Sequence, residues 1–221
     1  MSWESSAQYY RLLNQGVAAE LGGLHSAPCI LYSVDFAAIE RLQRSGDWDD
    51  AGDILAAAAR SLELAGAQIL LLGTNTMHKV AASIEEAVSI PFLHIADVTA
   101  AAVNEAGLEL VGLIGTAFTM EQRFLRDRLA TRGVEVVVPE APDRALIHRV
   151  IYEELCRGVI RDESRGVVQM AIERLIASGA QGVILGCTEL ELLIGANDVA
   201  VPLFATTQLH VTAAIAAALA P

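Results

Sequence analysis

The feature that most constrains this chain is a repeat. The segment GAQILLLGTNT at 66–76 matches GAQGVILGCTE at 179–189. A helical pattern precedes each copy, DILAAAARSLELA before the first and VVQMAIERLIAS before the second. A proline-led apolar run follows each, IPFLHIA at 90–96 and VPLFATT at 201–207. A repeat through helix, strand, turn and next strand implies two similar α/β units related by a pseudo-two-fold axis, and it superposes Thr74 on Cys187. The competing reading is chance, because Gly-Ala followed by an aliphatic strand and a glycine is common in parallel α/β proteins. The length of the match argues against it.

Between and around the copies, short apolar runs alternate with helical patterns. Strands are predicted at 27–34, 67–73, 91–95, 108–115, 134–138, 181–186 and 201–204. Helices are predicted at 47–66, 76–88 and 98–106, from Thr119, at 143–157 and 163–178, and from Thr207. Strands that are apolar at successive positions are buried on both faces, as in a parallel sheet covered by helices. The fold class is therefore α/β, with lobe 1 over 1–95 plus 200–221 and lobe 2 over 96–199.

Composition narrows the function. The chain has 221 residues, is 53% hydrophobic and carries a formal charge of −12. So acidic a protein lacks the positive footprint that nucleic acid or an anionic membrane requires. No apolar run reaches the ~18 residues of a membrane span. The N-terminus MSWESSAQYY has neither the basic nor the apolar stretch of a signal peptide. Three scattered cysteines suit neither a disulfide framework nor a zinc site, so a cytoplasmic protein with reduced thiols is expected.

In open parallel sheets ligands bind beyond the carboxyl ends of the strands. Thr74 and Cys187 both fall there, each after a strand and a glycine. Polar residues at a helix start follow each of them, Asn75-Thr76 and Thr188-Glu189. Unpaired N–H groups at such a start suit a substrate carboxylate and are expected to favour Cys187 as thiolate. Two equivalent positions facing one another suit racemisation, which removes a proton from one face of a carbon and returns one to the other. Taken alone, Cys187 could be a buried small hydrophobe. Asn75, Thr76 and Thr188 could simply be capping residues. His78 and His210 read as solvated or core histidines, and Cys29 (mid-strand) and Cys156 (within a helix) as packing residues.

GTNTMHK at 73–79 and LGCTELE at 185–191 resemble the two signature segments of the cofactor-independent aspartate/glutamate racemases. The likeness extends through MSWESSAQYYRLLN, LGGLHSAPCILYSVDF, LQRSGDWDDAG, VGLIGTAFTMEQ, YEELCRGVIRDESR and VPLFATTQLH, and so covers nearly the whole chain. It is strongest to the bacterial branch selective for L-aspartate and L-glutamate, which pairs Thr with Cys. The resemblance implies two Rossmann-like lobes with the active site in the cleft between them, no pyridoxal phosphate, no metal, and a homodimer acting on an acidic amino acid. Cys187 then matches the second family thiol, and Thr74 holds the place of the first. Asn75, Thr76, Thr116, Thr188 and Glu189 match substrate-contact loops, and Met1, Ser2 and Gln43 match positions near the substrate.

The chain departs from the family pattern in three ways. Thr74 cannot act as a free base at neutral pH, so L-substrates should react and D-substrates little. Ala205 stands where the family usually carries Asp. The chain begins after the family's first strand, so lobe 1 is expected to lack that strand. Two other readings stay open: a single-thiol enzyme like arylmalonate decarboxylase, and a degenerate, non-catalytic binder of dicarboxylic amino acids.

Overall fold

The computed structural model describes residues 1–220. It divides into two compact units, one formed by Met1–His94 with the residues from Val211 onward, the other by Ile95–His210.

The first unit opens on α1 (Trp3–Leu21), whose N-cap Ser2 accepts the N–H of Ser5 at 3.1 Å. Ser5, Tyr9 and Val17 lie buried on one helical face. Helices α2 (Phe36–Ser45) and α3 (Trp48–Leu64) follow, α2 ending at Gly46 in the left-handed conformation. On α3, buried Ala51, Leu55, Ala58 and Ala59 keep the i, i+4, i+7, i+8 spacing of a core-facing stripe. Ala51, Leu55 and Ala59 pack with Ile39, Leu70, Met77 and Ile84. The strands are short. β1 (Leu70–Leu71) pairs in parallel with β2 (Phe92–Leu93), and between them lie a 3-10 turn at Thr76–Val80 and α4 (Ala81–Glu85).

Residues 27–34 are not the expected strand. They carry no strand hydrogen bonding, and Ile30, Leu31 and Tyr32 are each about half exposed. Strand-forming residues become a strand only against a pairing edge, and among the described residues the sheet of this unit holds β1 and β2 alone.

The second unit carries a four-stranded parallel sheet in the order β4-β3-β5-β6. Its elements are α5 (Ile95–Glu105), β3 (Leu110–Gly115), α6 (Ala117–Glu121), α7 (Phe124–Ala130), β4 (Glu135–Val137), α8 (Ala141–Glu153), α9 (Asp162–Ala177), β5 (Val183–Gly186), α10 (Leu190–Leu193), β6 (Leu203–Ala205) and the start of α11 (Thr206–Leu219). Successive strand residues point to opposite faces, and both faces are covered. Ile114, Val183 and Leu185 join the core under α8 and α9, while Val111, Leu113 and Ile184 join the core under α5 and α7. That is why these strands read as continuous apolar runs. Because β6 pairs with β5, the segment from 200 to His210 goes with the second unit and not, as expected, with the first.

Candidate active site

In the second unit the candidate residues gather at the carboxyl ends of β3 and β5. Gly115 and Gly186 are register partners there. A Cβ on Gly115 would stand 2.9 Å from the Gly186 carbonyl oxygen, so glycine is what permits this approach. Thr116 and Cys187 leave the sheet immediately after this pair. Thr116 caps α6, its hydroxyl accepting the Thr119 N–H at 3.3 Å. His148 on α8 accepts the N–H of Ala117 through Nδ1 at 3.2 Å and thereby anchors the same loop. Burial lowers the proton affinity of His148, which suits an acceptor nitrogen.

Cys187 is buried, and its thiol donates to Glu189 Oε2 at 3.0 Å. The Thr188 hydroxyl donates to that same oxygen at 2.6 Å, while the Cys156 thiol reaches Oε1 at 3.7 Å. The expectation that a helix start would favour the thiolate is overturned. The Cys187 thiol is pushed well above its ordinary value, first by burial, then by the charge of Glu189 and the neighbouring Cys156. The helix that follows, α10, is a single turn, and a dipole that small does not offset desolvation beside a carboxylate.

A second carboxylate stands close by. Glu191 accepts the Thr207 N–H at 2.7 Å, and burial pushes its carboxyl up to about 7, with the charge of Glu189 adding to the rise. Thr206 donates to the Leu185 carbonyl at 2.8 Å, so the start of α11 is bonded to both β5 and α10. Ala205 is the last residue of β6.

The first unit holds the other candidates around the end of β1. The Met1 ammonium donates to the Gly73 carbonyl at 2.9 Å, and the Ser5 hydroxyl donates to the same oxygen at 3.0 Å. Met1 and the cap Ser2 are thus held against the residue that precedes Thr74. Thr74, Asn75 and Thr76 are all buried. Gln43 is buried against the 3-10 turn, with Nε2 2.9 Å from the Met77 sulfur. His78 Nδ1 lies 2.7 Å from the Thr74 carbonyl oxygen, and its ring meets His94 edge-on at 4.5 Å.

The structure therefore brings Met1, Ser2, Gln43, Thr74, Asn75 and Thr76 together in one unit, and Thr116, Cys187, Thr188 and Glu189 together in the other. His78 and His210 are buried, not solvated. Cys29 is exposed on the irregular 27–34 segment instead of lying mid-strand. Cys156 packs on the α8–α9 core as expected, but from the 3-10 turn Leu155–Arg157 instead of a helix interior, and its thiol faces Glu189. Sequence reasoning missed Glu191 and His148 and gave Cys156 no part beyond packing. Glu191 and Cys156 lie inside the quoted segments LGCTELE and YEELCRGVIRDESR, but their contacts are made through the fold, and His148 lies in none of the segments. Among the described residues no cluster of three or more His, Cys, Asp or Glu side chains could hold a metal ion, and no helix is long and apolar enough to cross a membrane.

A sequence model of the Asp/Glu/Hydantoin racemase family matches residues 1–214. The crystal structure of a proposed Asp/Glu racemase from Yersinia pestis is 52% identical, with a TM-score of 0.92 over 99% of this chain and 96% of that one. An aspartate racemase homologue from Pyrococcus horikoshii is 33% identical, with a TM-score of 0.83 over 97% and 94%. An aspartate racemase from Picrophilus torridus, at 18% identity and a TM-score of 0.76 over 97% and 88%, shares the fold.

Proposed function

Because the chain belongs to the Asp/Glu/Hydantoin racemase family, we propose that it racemises an acidic amino acid by moving the α-proton through Cys187, without pyridoxal phosphate. The observation that carries this reading is the 3.0 Å contact between the Cys187 thiol and Glu189. It supplies a sulfur able to carry a proton and, next to it, a buried carboxylate able to take one.

In this mechanism Cys187 passes its proton to Glu189 Oε2, the S–H bond breaking as an O–H bond forms. The thiolate then takes the α-proton of L-aspartate or L-glutamate, leaving a carbanion whose charge spreads into the substrate carboxylate. Thr74 serves the opposite face of the carbon. Its hydroxyl cannot act as a free base at neutral pH; it gives its proton to the carbanion and is reprotonated by solvent water, while Cys187 keeps the α-proton and Glu189 releases its own to solvent. A D-substrate, which needs a base on this face, turns over with the lower kcat. Thr116, Asn75 and Thr76, with the backbone N–H groups near Thr188, hold the carboxylates. Met1, Ser2 and Gln43 shape the surroundings of Thr74. The same reading takes the chain as a cytoplasmic homodimer, to be checked by sedimentation.

The high proton affinity of the Cys187 thiol favours a second reading, in which the chain binds dicarboxylic amino acids without turning them over. Incubation with L-aspartate and L-glutamate in heavy water, followed by chiral analysis, separates the two. A racemase washes deuterium into Cα as the D-enantiomer appears. A binder leaves both label and configuration unchanged, and that result would end the racemase reading.

A further inference from the structure

The Cys187–Glu189 pair has a third member that the reaction as described does not use. We propose that Cys156 is a positioning residue for this pair: its thiol donates to Glu189 Oε1, holding the carboxylate ionised and turned so that Oε2 is the oxygen that takes the Cys187 proton. The proposal rests on the reading of Cys187 as the base.

Glu189 is 4% exposed. A carboxylate removed from water is held ionised only by donors aimed at it. Cys187 and Thr188 both donate to Oε2, at 3.0 and 2.6 Å. Cys156 stands at Oε1, 3.7 Å away. When the Cys187 proton moves to Oε2, a donor on Oε1 opposes rotation that would exchange the two oxygens.

The platform under Cys156 is firm. Leu155, beside it on the 3-10 turn, is 1% exposed and part of the α8–α9 core, and Cys156 itself packs on that core. The neighbouring Glu154 is engaged elsewhere, accepting the Ser164 hydroxyl at 2.6 Å with Arg161 at 3.8 Å. The described contacts bring to Glu189 the ionisable groups of Cys187 on its own loop and Cys156 on the turn after α8, with Glu191 on α10 near enough to feel its charge.

Three variants test this in the full-length protein: Cys156→Ala and Cys156→Val, which remove the donor, and Cys156→Ser, which keeps one. Removing the donor should lower kcat for deuterium exchange by about threefold to tenfold, the range for one lost hydrogen bond, with KM unchanged. The acid limb of the kcat/KM profile should move to higher pH, and Cys156→Ser should restore both. Wild-type kcat and acid limb in the Ala and Val variants, or equal loss in all three, would overturn the proposal. Val, somewhat larger than Cys, fills the space that Ala would leave empty, so the test survives if Ala does not fold. An NMR titration of the Glu189 side-chain carbon, assigned with Glu189→Gln, needs no turnover. Its midpoint should rise in Cys156→Val and return in Cys156→Ser; an unmoved midpoint also overturns the proposal. If the wild type exchanges no deuterium, the racemase reading fails while this titration still decides the role of Cys156.

Discussion

At the scale of single residues, the proposed chemistry turns on one sulfur and one hydroxyl, those of Cys187 and Thr74. Cys187→Ser should lower turnover at least a hundredfold while leaving substrate affinity nearly intact, because a hydroxyl is a far weaker base than a thiol at neutral pH. Steady-state kinetics alongside calorimetric binding checks this, and near-wild-type kcat would exclude Cys187 as the base. Thr74→Cys should raise turnover of D-aspartate and D-glutamate over the parent. Inert D-substrates in a variant that still uses L-substrates would remove Thr74 from the opposite face. Cys187 and Thr74 were legible in the sequence as candidates because each follows a strand and a glycine, a pattern that places a residue at the open end of a sheet, whereas Thr116 came only from the family resemblance. Cys156 was not legible. It is separated from Glu189 by 33 residues, and nothing local to CRG announces that the turn after α8 reaches the loop after β5. The charge state of Cys187 was also hidden, since it is set by burial and by Glu189, not by the helix start visible in the sequence.

Among the elements, the β3–β5 pair is the most tightly constrained. Gly115→Ala would place a methyl 2.9 Å from the Gly186 carbonyl oxygen. Separating the strands should cost about 1–3 kcal/mol, as overpacking of a filled interior does, and should displace both Thr116 and Cys187. Thermal melting and kcat should fall together, and a variant melting with the wild type would show that the strands have room. The start of α11 carries a pH dependence. Folding raises the Glu191 carboxyl from 4.5 to about 7, so the native state binds the proton more tightly than the unfolded chain. Its contribution to stability is full below pH 4.5 and is lost as pH rises through about 7. In Glu191→Gln, which cannot ionise, that decline should be missing from melting temperatures taken across the interval; an unchanged slope would mean Glu191 does not titrate there. The strands of the second unit were readable because both their faces are buried, whereas 27–34 misled. APCILYSV has strand composition, but a strand also needs a neighbour, and composition does not record whether one is present.

For the molecule as a whole, the division into two α/β units follows from the repeat, though the boundary did not. The run at 201–207 looks like the counterpart of 90–96, and only the pairing of β6 with β5 shows which sheet it joins. The formal charge of −12 acts at this scale too. Self-repulsion opposes compaction, and salt near 0.15 M shortens its range to about 8 Å. The melting temperature should therefore rise from very low salt to ~0.15 M NaCl, by a few degrees or less. A fall over the same interval would indicate that attractive ion pairs outweigh the net repulsion.

The protonated state of Cys187 also bears on durability. Peroxides and alkylating agents attack the thiolate, and susceptibility follows thiolate character and access. A buried sulfur held as S–H beside a carboxylate offers them little of either. On the proposed mechanism the reactive form exists only while Glu189 holds the proton, so the sulfur would be sheltered between turnovers.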